Sequence, residues 1–311
     1  QAFLNDDETL FDSLVKAGYS LEEYNNKGLT LLIMAIGKNK GKWIDKLLTL
    51  TDNVDFPAKN GMTPIMIAIG TNNFELVKKL IKQGADLKYR DLSTGESLLH
   101  LAVSDWKRDK KATDSLIIDL LLAKGLDINL KDNDGDNPLH RAIKDEQTEK
   151  ALYLVASRAN VNVMNNDGWS PTMLSVNRQQ VDVLTQLLAA GADVNLAGKD
   201  QWNALHLSVT KIKKAQNLND ANKIFELILK SGADIDSKTD SGASSLWLAT
   251  ANKRTEAVKL LLKSGVEVDL QTNQGGTALL KGAEEHHFKI IQLLLDAGAN
   301  IKHFDKEANT A

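Results

Sequence analysis

The sequence predicts an all-α solenoid, a stack of two-helix units joined by short hairpin turns. Three observations predict it. A Ser, Thr or Asn fit to cap a helix recurs about every 33 residues, an apolar pair recurs between the caps, and a glycine usually stands three residues after each pair. Self-similarity at such a period marks units that cannot bury an apolar face alone and must stack.

The caps open the units. They are Thr30, Thr63, Ser97, Asn137, Ser170, Asn203, Ser244 and Thr277, all side chains that accept a hydrogen bond from an orphan N–H in the first helical turn. Pro64, Pro138 and Pro171 follow their caps directly, where a missing N–H costs nothing. Five residues after each cap stands Ala, Ser or Gly, small enough for neighbouring helices to approach closely.

A second helix then carries the apolar pair, from Leu47-Leu48 and Leu80-Ile81 to Leu294-Leu295. Gly84, Gly125, Gly191, Gly232, Gly265 and Gly298 follow at the position where a left-handed residue ends a helix. Thr51 and Arg158 replace that glycine in two units, which predicts local strain or a different cap at both.

The frame appears as N-G-M-T-P-I-M-I-A at 60–68, D-G-D-N-P-L-H-R-A at 134–142 and D-G-W-S-P-T-M-L-S at 167–175. It closely resembles the ankyrin repeat, whose T-P-L-H-x-A core is matched by Asn137-Pro138-Leu139-His140-Arg141-Ala142. The resemblance covers nearly the whole chain. It divides it into an N-terminal half-repeat cap at 1–24 and eight repeats at 25–57, 58–91, 92–131, 132–164, 165–197, 198–238, 239–271 and 272–304. Residues 305–311 are then a truncated ninth repeat or C-terminal cap. It implies an ankyrin-repeat solenoid with short β-hairpin fingers, whose concave face binds a folded protein partner without catalysis.

Departures from the frame supply the candidate site. In that family the residue between the turn glycine and the cap faces partners; here it reads Leu29, Met62, Glu96, Asp136, Trp169, Trp202, Ala243 and Gly276. Trp169 and Trp202 fall in adjacent repeats, roughly 10 Å apart at ordinary packing distances. Trp is enriched at binding hot spots, so these two are the sharpest candidates. The plainer reading is that each ring folds over its own hairpin. Among the polar finger tips, Asp134, Asn166, Asp167 and Lys199 are candidate contacts, although turn chemistry alone favours such residues. Two insertions, Asp105–Lys111 with Trp106 and Lys211–Lys223, separate the helices of the third and sixth repeats. Solvated loops or extended helix ends are the simpler reading of both, paired basic docking loops the sharper one.

Composition excludes other classes. With 311 residues and a net charge of −3, nucleic acid is a poor default partner. No apolar run approaches the ~18 residues of a membrane span. There is no cysteine, so disulfides, thiolate metal sites and cysteine nucleophiles are absent. The alternating Asp132, Asp134 and Asp136 suggest a calcium loop, but either register puts Arg141 or Ile143 where a bidentate Glu is needed. His100, His140 and His206 repeat with the frame and are expected to be structural; Glu284-Glu285-His286-His287 lacks a partner at metal-ligand spacing. No nucleophile elbow, phosphate loop or dinucleotide fingerprint occurs. No catalytic residue, metal or cofactor is therefore expected.

The leading function is a binding scaffold, expected to be monomeric when free. One form would be an inhibitor or immunity protein covering a partner enzyme such as a peptidoglycan hydrolase. The start at Gln1 and the lack of cysteine favour a periplasmic location for it. The alternative is a recognition domain of a larger channel, kinase or secreted effector.

Overall fold

The computed structural model describes residue 3 and residues 5–104, 114–210 and 218–307. It forms two compact units, Gln1–Asn133 and Asp134–Ala311.

The first unit opens with α1 (Glu8–Lys16), capped by the Asp7 carboxylate, which accepts from the Leu10 N–H at 2.9 Å. Three helix pairs follow: α2 (Leu31–Gly37) with α3 (Gly41–Leu50), α4 (Pro64–Gly70) with α5 (Phe74–Lys82), and α6 (Leu98–Val103) with α7 (Asp114–Ala123). The second unit holds α8 (Pro138–Lys144) with α9 (Thr148–Ala156), α10 (Pro171–Asn177) with α11 (Val181–Ala189), and α12 (Ala204–Thr210) with α13 (Leu218–Lys230). It ends with α14 (Ser245–Ala251) and α15 (Thr255–Lys263), then α16 (Ala278–Glu284) and α17 (Phe288–Asp296).

Within each unit the first helices pack on one another, α2 on α4 on α6 and α8 on α10 on α12 on α14 on α16. A seven-residue helix has no stability in isolation. These persist because they are apolar nearly all round: α4 buries Pro64, Ile65, Met66, Ala68, Ile69 and Gly70. The second helices are amphipathic, as when α5 buries Leu76, Val77 and Leu80 and turns its lysines outward.

The caps form as their chemistry dictates. Thr30, Ser170, Ser244 and Thr277 each accept from the N–H three residues on, at 3.1–3.3 Å. The bend between paired helices needs one left-handed residue, and Asn39, Asn72, Glu146, Gln179, Lys253 and His286 take it, with φ from 50° to 58°. At the two exceptional helix ends both sequence expectations hold. Arg158 adopts φ 64° without being glycine, a strained conformation, whereas Thr51 leaves α3 in an extended conformation.

Among the described residues, β structure is limited to isolated bridge residues, Arg90 paired with Ser97, Lys238 paired with Ser244, and Phe304. The fingers are therefore hairpin turns rather than strand ladders. Of the sixth-repeat insertion, residues 218–223 are the first turns of α13, so that part is extended helix. Residues 105–111, with Trp106, and residues 211–217 lie outside the described residues.

Candidate partner-binding surface

Asn165 builds the finger that carries Trp169. Its N–H donates to the Trp169 carbonyl at 3.0 Å. Its side-chain oxygen accepts from the N–H groups of Asp167 and Trp169 at 3.1 and 2.8 Å, and its amide donates to Asp136 Oδ1 at 2.7 Å. One buried side chain thus satisfies two turn donors and fixes the ring's starting point.

Neighbouring fingers are bonded to each other. The Asn166 N–H donates to the Asp134 carbonyl at 2.9 Å, Asp240 to Asp200 at 2.8 Å and Asn273 to Ser241 at 2.9 Å. In the first unit Lys59 donates to Gly28 at 2.8 Å and Asn133 to Thr94 at 2.9 Å. The approach is close enough to require glycine: a Cβ on Gly135 would lie 2.4 Å from Asn166 Oδ1.

Histidine ties finger to helix. His206 Nδ1 accepts from the Asn203 N–H at 3.3 Å, so Nε2 bears the proton and donates to the Ser237 carbonyl at 3.0 Å. Burial lowers its pKa below the ordinary imidazole value, only partly offset by the Ser237 bond and Asp234. That favours the neutral ring this geometry needs. His140 Nε2 meets the Trp169 carbonyl at 3.1 Å in the same way.

The predicted site residues divide by exposure. Leu29 and Met62 are half-buried at their turns. Glu96 and Asp136 are only 8% and 3% exposed. Asp136 departs from the partner-facing position that its place in the ladder predicts. Its carboxylate pairs with Lys144 and accepts from Asn165, so it braces the turn from inside. Trp169 and Trp202 are half-buried and pack on the core of the second unit. The Trp202 ring lies edge-on to His206 at 6.0 Å. Both rings are thus partly covered and partly exposed. Asp134, Asn166, Asp167 and Lys199 are exposed. Lys199 Nζ reaches Asp167 Oδ1 at 2.9 Å across adjacent fingers, and holds that carboxyl below the usual carboxylate range.

Sequence reasoning missed Trp247. It stands on α14 where other units carry the histidine of the frame, and that substitution was the available signal. It lines an open cavity of about 680 Å³ between the last fingers and the helices α14 and α16. Lys281 Nζ sits 5.5 Å from the centre of its ring. Also unforeseen is a ladder at the other turns: Asn162, Asn195, Asp236 and Asp269 accept from the N–H groups of Asp193, Asp234, Glu267 and Asn300 at 2.8–3.0 Å.

Among the described residues, no helix is long and apolar enough to cross a membrane, and no cluster of three His, Asp or Glu could hold a metal.

Models of ankyrin repeats match residues 1–91, 88–165 and 212–305, and a single-repeat model matches 167–199. A putative ankyrin repeat protein of fowlpox virus is 34% identical over 116 residues, 37% of this chain and 32% of that protein. The mouse B-cell lymphoma 3 protein homolog is 30% identical over 135 residues, 42% of this chain and 28% of that protein. The phosphocholine transferase AnkX of Legionella pneumophila is 31% identical over 111 residues, 35% of this chain but 11% of the enzyme. The crystal structure of the ankyrin repeat domain of Bcl-3 superposes with a TM-score of 0.56 at 22% identity, covering 81% of this chain and 93% of that one. The shared fold is what this last likeness shows. The chain spans about a third or less of the length of the curated relatives it matches.

Proposed function

The chain belongs to the ankyrin-repeat family, a protein-interaction scaffold, and from that premise we propose that its second unit grips a folded protein with its finger tips and first helices. One observation carries this: Trp169 and Trp202 stand half-exposed on adjacent fingers that pack against each other, Gly168 against Gly198 and Lys199. Aromatic edges held on an ordered backbone bind with little loss of side-chain freedom. Lys199 and Asp167 supply a polar rim beside them.

A protein captured from the native source by the wild type should be retained about 30-fold less well by the double variant Trp169→Ala/Trp202→Ala, with an unchanged helical circular-dichroism spectrum. Equal retention, or a fall in melting temperature alone, refutes the assignment. The finer form of the proposal is a partner enzyme whose active site this surface covers. A second reading, a recognition module within a larger protein, is favoured by relatives that extend well beyond the shared stretch.

A further inference from the structure

We propose that protonation of His206 opens the Trp202 finger, which makes the binding surface pH-gated: ordered at neutral pH and released in acid. The consequence for a partner rests on the binding-surface reading above, whereas the opening itself does not.

One peptide unit joins the histidine to the finger. The Trp202 carbonyl accepts from the Gly198 N–H at 2.7 Å, the bond that closes the finger. The N–H of the same peptide, that of Asn203, donates to His206 Nδ1 at 3.3 Å. The peptide is planar and rigid, so neither end turns without the other. The far side of the ring is fixed as well, since Nε2 donates to the Ser237 carbonyl at 3.0 Å. A proton on Nδ1 therefore sets two donors against each other where the ring is fully buried. Relief comes when the ring leaves its place or the peptide turns, and turning it breaks the Gly198 bond. Either movement also takes a support from Trp202, whose ring lies edge-on to His206 at 6.0 Å.

This finger is poorly armed to resist. Asp200 and Gln201 are already left-handed, and Gly198 has no side chain to hold the turn N–H groups. The Trp169 finger is built otherwise: Met173 stands at the position of His206, and Asn165 secures the turn with its side chain.

Few charges reach the ring. The helices α10 and α14, packed on α12, carry no titratable residue. On α13, also packed on α12, Lys223, Glu226 and Lys230 are exposed and Asp220 lies in the first turn. Lys199, Asp200, Lys238 and Asp240 are exposed on the two fingers. Burial holds the ring below the ordinary imidazole value, and Asp234 and the Ser237 bond offset it only in part. The neutral ring's support for the closed finger is thus complete above that ordinary value. It is lost as pH falls through the ring's own lower one.

The test is an NMR titration of the full chain from about pH 7.5 to about pH 4. It follows the His206 ring C–H, the Trp202 indole N–H and the Gly198 amide, with His206→Gln and Trp202→Phe identifying the first two signals. One shared midpoint below the ordinary imidazole value is expected, with the helical circular-dichroism spectrum unchanged through it. The Gly198 amide should lose about tenfold in exchange protection across that midpoint. His206→Gln, whose side chain takes up no proton, should abolish both the Trp202 and the Gly198 responses. Its melting temperature at neutral pH is the folding control, and the wild-type midpoints decide the matter even if it does not fold. Separate midpoints for His206 and Trp202, a Gly198 amide that stays protected, helicity lost at the midpoint, or the same response in His206→Gln overturns the proposal. These signals need no partner, so they fail or hold independently of the capture by Trp169→Ala/Trp202→Ala.

Discussion

Two adjacent fingers reach the same outline by opposite means. In the first, Asn165 accepts two turn N–H groups with its side chain, and Gly168 is its left-handed residue, at φ 76°. In the second, Gly198 stands at the position of Asn165 and has no side chain to offer. The Trp202 N–H turns to the Lys199 carbonyl at 3.2 Å instead, and residues Lys199–Gln201 tighten into a 3-10 turn. Asp200 and Gln201 then both become left-handed, at φ 56° and 57°. Glycine has moved from the place where conformation demands it to the place where space does. A Cβ on Gly198 would sit 2.0 Å from the Gly168 carbonyl oxygen. The comparison teaches that a finger can be closed by a side chain or by its own backbone, and that the second route stores strain.

The sharpest way to break the comparison is Asn165→Ala. It orphans two N–H groups and uncovers one oxygen of the buried Asp136, which should cost about 3 kcal/mol in urea unfolding. A loss under ~1 kcal/mol would show that backbone bonds alone close this finger. Gly198→Ala comes next. The two fingers must separate to admit the methyl, at a cost of about 1–3 kcal/mol in the same measurement. A neutral result would mean that the close approach relaxes freely. The smallest effect is a gain: Gln201→Gly removes a left-handed non-glycine residue and should stabilise the chain by ~0.5 kcal/mol, the relief of strain less the entropy of the freer unfolded chain. No gain would place the strain elsewhere in the turn.

Legibility follows the range of the interaction. The helix caps were readable because Ser170 and Met173 are three residues apart and their bond is local. The aberrant ends at Thr51 and Arg158 were readable because the missing glycine is visible in the text. The burial of Asp136 was not legible because its partners, Lys144 and Asn165, are placed by the helix and by the next finger. Trp247 went unnoticed because its position in the frame reads as a core histidine. It lines a cavity only because of what α16 and the last turns set opposite it. The bonds between successive loops leave no local trace; that from the Asp234 N–H to the Asn195 side chain spans 39 residues.

The sequence by itself determined the repeat frame, the helix starts and ends and the turn glycines, because each depends on backbone chemistry within a few residues. Only the tertiary structure decided which polar side chains face outward. Whether Asp136 is braced inside and Asp167 stands at the surface depends on what the neighbouring finger brings against each, about 30 residues further along the chain.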